Sequence, residues 1–448
     1  MTDTARLGET VRDLLEGGRH ERLAQTLEES HAADVAATLR DLPVPEQLTL
    51  FRLLNREQAG GVLAELDDQT LLELVRALDE TEISGILDRM QPADAAQVIE
   101  ELPEEQAEKV LDLMKEQQSE DVQELLEYGE KTAGRIMSPE VLAIHEYATV
   151  AQAIEHVRKA PGAKSARDLY LVDDHDHLVG VLPLLRLLTA DPATPVRLLA
   201  REDVMTVTPD TDQEEAAKLV AKYDLVTLAV VDRDHRLLGV IAVDDVIDVI
   251  REEATEDIQR LAGAAGDETV FDPAGVVFRK RLLWRLINLG TAILAASVIG
   301  LFESSIQSLA TLAIFMPIVA SMGGIGTTQT ATVVVRGLAL GDMTSAHLWR
   351  VLKKEAWLGL TTGIANAAVM AAIAYFWKGQ ILLAVIIGTA LVFNMLVAAV
   401  VGVTIPIALK TFRIDPAIAS SVIITTFTDV FGFFSFLGLA TVLIRFLL

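Results

Sequence analysis

Five long apolar segments occupy the second half of the chain, near residues 283–302, 307–335, 352–377, 381–409 and 416–446. Each reaches the ~20 residues that a helix needs to cross a bilayer. This feature narrows the possible folds more than any other, because a chain inside lipid must satisfy its backbone hydrogen bonds internally. The charge divides at the same place. Residues 282–448 hold five acids (Glu303, Asp342, Glu355, Asp415, Asp429) and nine bases, a net of +4; the whole chain carries −26, so residues 1–281 carry −30. A strongly acidic, soluble half is joined to an apolar, slightly basic one. Acidity of that size argues against nucleic acid as a partner and favours cations.

With 448 residues the chain has room for two to four domains. It has no cysteine, which rules out disulfides and thiolate metal sites. The polar, acidic start does not read as a signal peptide, so the acidic half is expected in the cytosol. With that half inside, the inner flanks of the apolar segments hold ten bases: Arg279, Lys280, Arg281, Arg285, Arg336, Arg350, Lys353, Lys354, Lys410 and Arg413. The outer flanks hold Lys378 and Arg445. That excess follows the positive-inside rule, and five crossings then leave the C-terminus outside. The expectation is a multi-pass protein of the cell (inner) membrane, in contact with lipid.

Residues 1–132 read as short amphipathic helices stacked as a solenoid. Apolar-acidic phrases recur at 37–42, 62–66, 86–90, 98–102 and 110–114. The plain alternative is a structural or docking domain. From residue 133 the pattern changes to short β-rich runs between helices. LVDDHDHLVGV over 171–181 matches VVDRDHRLLGV over 230–240, each a strand, a polar turn and a second strand. Each copy follows a Met-Ser/Thr phrase, Met137-Ser138 and Met205-Thr206. The ~60-residue period fits a paired α/β module. This arrangement resembles the CBS-domain pair, here 133–250; such pairs often bind adenine nucleotides, which makes ATP a possible ligand. His175, His177 and His235 fall in the polar turns and read as solvated rather than as a zinc site, since they lack a fixed helical spacing. Residues 251–281 form a charged connector, read as one long helix, whose acids repel one another unless a cation lies among them. Residues 282–448 are the five-helix membrane domain.

Asp429 is the only acid after Pro416. A carboxylate at membrane depth costs about 2.5–3.5 kcal/mol by the lower estimates and marks a functional path by default. Nearby segments add Gly323 and Gly324, read as loosening the second helix and freeing its carbonyls, together with Thr327, Thr328, Asn394, Thr425, Thr426 and Thr428 as neutral oxygen donors. Close packing of small residues is the alternative for the glycines, and proton carriage or helix pairing for Asp429. Oxygen ligands suit a hard cation, and Mg²⁺ keeps most of its waters while using one or two carboxylates. One Asp per chain suffices where two chains share an axis. The membrane half has one histidine, His347 near a cytosolic loop, and no soft-metal site. No catalytic constellation appears, so an enzyme is not expected.

The order of elements resembles the MgtE family of magnesium channels over essentially the whole chain. The phrases that carry this are Met137-Ser138-Pro139, 211–215 (TDQEE), 253–258 (EATEDI), Met322-Gly323-Gly324, Val335-Arg336-Gly337, Asp415-Pro416-Ala417 and 426–432 (TFTDVFG). The resemblance implies a homodimer with its pore on the two-fold axis, lined by the second and fifth membrane helices. It implies Asp429 as the selectivity carboxylate, with Gly324 and Thr425 facing the hydrated ion. It also implies gating by intracellular Mg²⁺ held among Asp94, Asp212, Glu214, Asp224, Asp245, Asp248, Glu256, Asp257 and Asp415, with 251–281 as a "plug" helix. This chain departs from the family at Ile325, where Asn is common, and near Val422, where Pro is common. Gly61, Ala93 and Gln97 stand where interface acids are expected. The first two bear on selectivity, the last three on sensitivity to Mg²⁺.

Overall fold

The computed structural model describes residues 3–160, 166–270, 272–343, 345–418 and 421–443. It divides into two compact units, Met1–Ile250 and Arg251–Leu448.

The first unit opens with ten helices, α1 (Asp3–Glu16) to α10 (Glu116–Glu127). They are short because cap residues recur: Asn55, Asp67 and Asp79 each accept a backbone N–H at a helix start, and Asp79 forms a reciprocal capping box with Glu82. Helices two apart pack together, α1 on α3 (Ala32–Arg40), α3 on α5 (Arg56–Ala64), α5 on α7 (Glu80–Leu87) and α7 on α9 (Glu104–Leu113), which makes a superhelix. A glutamine repeats the same tie. The Gln58 amide donates to the carbonyls of Leu27 and Glu28 (3.3 and 3.2 Å), and that of Gln118 to Leu87 and Met90 (3.1 and 3.0 Å). Each side chain satisfies the orphan carbonyls at the end of an earlier helix.

Two three-stranded sheets follow, β1 (Ala143–His145), β2 (Asp168–Val172) and β3 (Leu178–Pro183), then β4 (Thr206–Val207), β5 (Thr227–Val231) and β6 (Leu237–Ala242). In each, the first pair is parallel and the second antiparallel, with matching bulges at Leu171/Val172 and Val230/Val231. The lead-in phrases cross over. Ser138, ahead of the first copy, bridges to Val240 of β6, while Arg201, ahead of the second, bridges to Val181 of β3. Gly239 is required there, because a Cβ would stand 2.8 Å from the Ser138 carbonyl oxygen. The copies are therefore interlocked rather than merely adjacent. One apolar core also runs without a break from α1 through the second copy, Ala133 included, so the expected boundary at 132/133 does not separate two cores. Arg135 seals that joint through Glu100 (2.5 Å) and the Leu125 carbonyl (3.0 Å).

The connecting helix differs from the single long one read from sequence. It starts at Val243, directly after β6, and ends at Leu261; the first membrane helix begins separately at Ala274. Gly263 and Gly266 adopt φ of +79° and +97°, conformations that end a helix.

Among the described residues of the second unit, five helices are long and apolar enough to span a membrane: Ala274–Gly300, Thr311–Ala339, Leu348–Lys378, Ile381–Thr411 and Ser421–Leu443. A short helix, Glu303–Ser308, links the first two. Arg445, counted on the outer flank, lies outside the described residues. The fourth helix is the most buried and packs on the second, third and fifth. Small residues let it approach closely. A Cβ on Gly359 would meet the Met395 carbonyl oxygen at 2.8 Å, and one on Gly402 the Thr327 carbonyl oxygen at 3.0 Å. Gly359→Val is expected to lower the thermal midpoint of the detergent-solubilised chain, with overpacking costing about 1–3 kcal/mol. Gly300→Val, where nothing lies within 4 Å, is expected to leave it unchanged.

Candidate ion pathway and cation-binding residues

Asp429 lies on the fifth membrane helix and opens into a groove of about 820 Å³ between that helix and the second. The groove is lined by Gly324, Ile325, Thr328, Gln329, Thr425 and Asp429, among others. Asp429 has no hydrogen bond or ion pair among the described residues. Gly324 and Thr425 face each other across the groove wall, since a Cβ on Gly324 would meet the Thr425 methyl at 3.3 Å. The three residues singled out for the pathway at this level are thus brought together.

Gly323 and Asn394 are placed differently. The second helix runs unbroken through both glycines, so no carbonyls are freed there. Gly323 makes room instead for Asn394, which is fully buried and wedged between Gly323 and Gly432. The Asn394 amide donates to the Val319 carbonyl at 2.8 Å. Its Oδ1 has no partner among the described residues. A carboxamide between three helices fixes their register behind the groove rather than lining it. The threonines divide in the same way. Thr327 and Thr428 are buried and donate to their own helices at Gly323 and Thr425 (2.9 Å each); Thr328 and Thr425 line the groove.

Two of the acids assigned to cation sensing meet in this same unit, and a cation already stands between them. The Arg260 guanidinium pairs with Glu256, whose side chain is only 8% exposed, and with Asp415. The other Asp415 oxygen accepts the Ala417 N–H at 2.8 Å. The end of the connecting helix is thereby tied to the loop between the fourth and fifth membrane helices. Asp257 lies half-buried on the same helix. Arg260 escaped the sequence reading because nothing local tells that a residue 155 positions away will share it.

The first unit assembles a second group. Asp94, near the start of α8 (Pro92–Glu100), lies among Glu65, Asp245 and Asp248. Burial, then Asp248 and Glu65, push the Asp94 carboxyl above its usual range. Burial pushes Asp245 up to about 6, with Asp94, Asp244 and Asp248 adding to the effect against a hydrogen bond from the Ala242 N–H. Here carboxylates converge and repel one another, the situation a divalent cation relieves. Glu65 is an addition that no sequence signal marked. Ala93 packs against the core beside this group. Asp212, Glu214 and Asp224 have local roles on the helix Gln213–Tyr223: Asp212 caps its start, Glu214 pairs with Lys218 (2.6 Å), and Asp224 ends it with φ of +50°.

Three comparisons bear on this geometry. Family profiles match residues 316–439 ("Divalent cation transporter"), 30–131 ("MgtE intracellular N domain") and 133–193 with 196–252 ("CBS domain"). The magnesium transporter MgtE of Thermus thermophilus is 33% identical over 98% of this chain and 99% of its own length. That of Bacillus subtilis is 30% identical over 96% of each. Among solved structures, the cytosolic domain of the Mg²⁺ channel MgtE in complex with ATP aligns with TM-score 0.52 and 33% identity, over 54% of this chain and 99% of that one.

The fold and the groove define a multi-pass membrane protein of the cation-transporter class, carrying a helical superhelix and a CBS pair. The chain belongs to the MgtE family of magnesium transporters.

The acid group has a pH signature. Asp245 takes up its proton more readily folded than unfolded, so its stabilising contribution is complete below about pH 4 and disappears as pH rises through about 6. Raising pH from about 5 to about 7.5 in chelator should therefore remove about 1 kcal/mol of stability from this group and lower the thermal midpoint accordingly. Added Mg²⁺ should restore it at the higher pH and do little at the lower. Asp245→Asn should remove both effects in a calorimetric scan of the full chain.

Proposed function

We propose that two copies of the chain form a homodimeric Mg²⁺ channel that imports the ion down its electrochemical gradient. The observation that carries this reading is the groove itself: an ionisable side chain at membrane depth, with no hydrogen bond or ion pair among the described residues, on an open face of two spanning helices. A twin groove across a two-fold axis turns that face into an aqueous path with two carboxylates, which suits a hydrated divalent ion. The N-terminus is cytoplasmic and the C-terminus outside, by the ten-to-two excess of basic residues on the inner flanks.

Internal Mg²⁺ closes this channel by binding the acid groups. Between Asp94, Asp245 and Asp248 the ion neutralises carboxylates that otherwise repel, and so favours the packed arrangement of superhelix, CBS pair and connecting helix. Asp212, Glu214, Asp224 and Asp257 supply further acids to the same response. At Glu256 and Asp415, Arg260 performs part of the ion's task. ATP is a ligand of the CBS pair on this reading, supported by the relative solved with ATP. A broader divalent range, including Co²⁺, Mn²⁺ and Ni²⁺, is the second reading. It is favoured by Ile325, which is 52% exposed and puts a hydrocarbon on the groove wall. A nucleotide-sensing protein whose membrane half is only an anchor is the third, and it gives Asp429 no task.

Mg²⁺ flux into proteoliposomes separates these. Asp429→Ala is expected to reduce uptake by more than about tenfold, removing more than about 1.4 kcal/mol of ion stabilisation; undiminished uptake would leave the anchor. Competition by Co²⁺, Mn²⁺ or Ni²⁺ at equal concentration marks the broader range. Uptake by the parent chain should fall as Mg²⁺ on the cytoplasmic face rises. Arg260→Gln should demand more Mg²⁺ for the same closure, because it removes the positive charge that Glu256 and Asp415 share; an unchanged dependence would remove Arg260 from the gate.

A further inference from the structure

The turn between β2 and β3 brings Asp173, His175 and His177 together, with one potential ligand atom from each lying within 4.8 Å of the others. Asp173 builds the turn. Its Oδ1 accepts the backbone N–H of His175 (2.8 Å) and of His177 (3.0 Å). Its other oxygen stands 3.0 Å from His177 Nδ1. The two imidazoles stack, with centroids 5.8 Å apart and planes inclined by 23°.

The second CBS copy serves as an internal control. Its turn, Asp232 to Arg236, has the same construction: Asp232 Oδ1 accepts the N–H groups of Asp234 (2.9 Å) and Arg236 (2.8 Å). The left-handed residue recurs at the same place, Asp176 with φ of +64° and His235 with +68°. Yet the positions of His175 and His177 are held there by Asp234 and Arg236. The fold therefore needs the aspartate and the left-handed residue, but not the histidines. The two turns also brace each other, with the Leu178 N–H donating to the His235 carbonyl (3.0 Å) and the Leu237 N–H to that of Asp176 (3.3 Å).

We propose that Asp173, His175 and His177 form a site for a borderline divalent transition metal of the Zn²⁺, Co²⁺, Ni²⁺ class, on the first CBS copy. Two imidazoles and a carboxylate are the donors such ions prefer and hydrated Mg²⁺ does not. Around tetrahedral zinc, ligand atoms stand about 3.4 Å apart. The 3.0 Å contact between His177 and Asp173 is already near that value, so the metal takes the place of the proton they share. His175 completes the set by rotating its ring on an exposed turn, and water fills the fourth position. The backbone N–H groups of His175 and His177 hold the Asp173 carboxylate in place through its Oδ1, leaving the other oxygen for the metal. The site is independent of the pore, and its chemistry is the opposite of the one at Asp429.

The test is a Co²⁺ titration of the full chain in detergent with Mg²⁺ in excess, read by visible absorption. The expected result is an intense tetrahedral ligand-field band that saturates at one ion per chain and disappears on adding Zn²⁺. Replacing the histidines by the second copy's own residues, His175→Asp with His177→Arg, keeps a turn this fold already accommodates. That variant should weaken binding more than about tenfold, at least what an outer partner costs at a metal site. Asp429→Asn, and His156→Gln on the helix Val150–Lys159 outside the turn, should leave the band intact. Absence of the band, or a band that survives the double variant, overturns the proposal. X-ray absorption of the Zn²⁺-loaded parent chain needs no variant: two imidazole ligands are expected, and an oxygen-only shell overturns it.

Discussion

An ionised carboxylate inside a bilayer has three ways to exist: it takes a proton, it finds a counter-charge, or it faces water. Asp429 has no counter-charge within its own chain among the described residues, and it lies on a groove rather than in the packed interior. The groove in turn depends on how closely the helices behind it can pack. Asn394 sits between Gly323 and Gly432, the third and fourth helices meet through Gly359, and the fourth meets the second through Gly402. With larger residues at those glycines the wall on which Asp429, Gly324 and Thr425 stand would shift. The small residues of this unit therefore act on the ion indirectly, through the distance between helices.

The same electrostatic problem recurs outside the membrane, with a different solution at each place. At the end of the connecting helix, evolution has supplied a tethered cation: Arg260 bridges Glu256 and Asp415 and costs no ion binding. Around Asp94 and Asp245, burial and the neighbouring acids outweigh the hydrogen bond from the Ala242 N–H, and the result is a carboxyl raised to about 6. A tethered cation gives a contact that ignores ion concentration; an uncompensated cluster gives one that responds to it. On the proposed reading both kinds are needed, the first to define the closed arrangement and the second to make it conditional.

Much of this organisation was legible in the sequence because it is local and periodic. The five apolar runs, the charge asymmetry, the repeated 171–181 and 230–240 phrases and the lone acid at 429 depend on nothing outside their own segments. The structure added what depends on partners distant in the chain. Gly323-Gly324 looked like a break, but Asn394, some seventy residues on, fills the space and keeps the helix whole. The connector looked like one helix, because its charge pattern continues past Leu261, where Gly263 and Gly266 turn the chain. Glu65 and Arg260 carried no signal at all, since their significance comes from residues that folding brings beside them. The turn histidines were read as merely solvated; only the comparison of two identical turns shows that the fold does not require them.

The energies involved also set how sharply such a protein can respond. The displacement of Asp245 from 3.8 to about 6 corresponds to about 3 kcal/mol between its protonated and ionised forms. Solvent reaching a half-buried site discounts that figure, leaving something nearer 1–2 kcal/mol for an ion to recover. One such cluster moves an equilibrium by about tenfold, whereas driving a two-state element from nearly open to nearly closed takes about 5.5 kcal/mol. A single cluster cannot supply that. On the proposed homodimeric reading, two copies, each with its Asp94 group and further acids on Gln213–Tyr223 and the connecting helix, can. The net charge of −30 on residues 1–281 is, on that reading, the source of the many modest repulsions that an ion-gated channel has to add together.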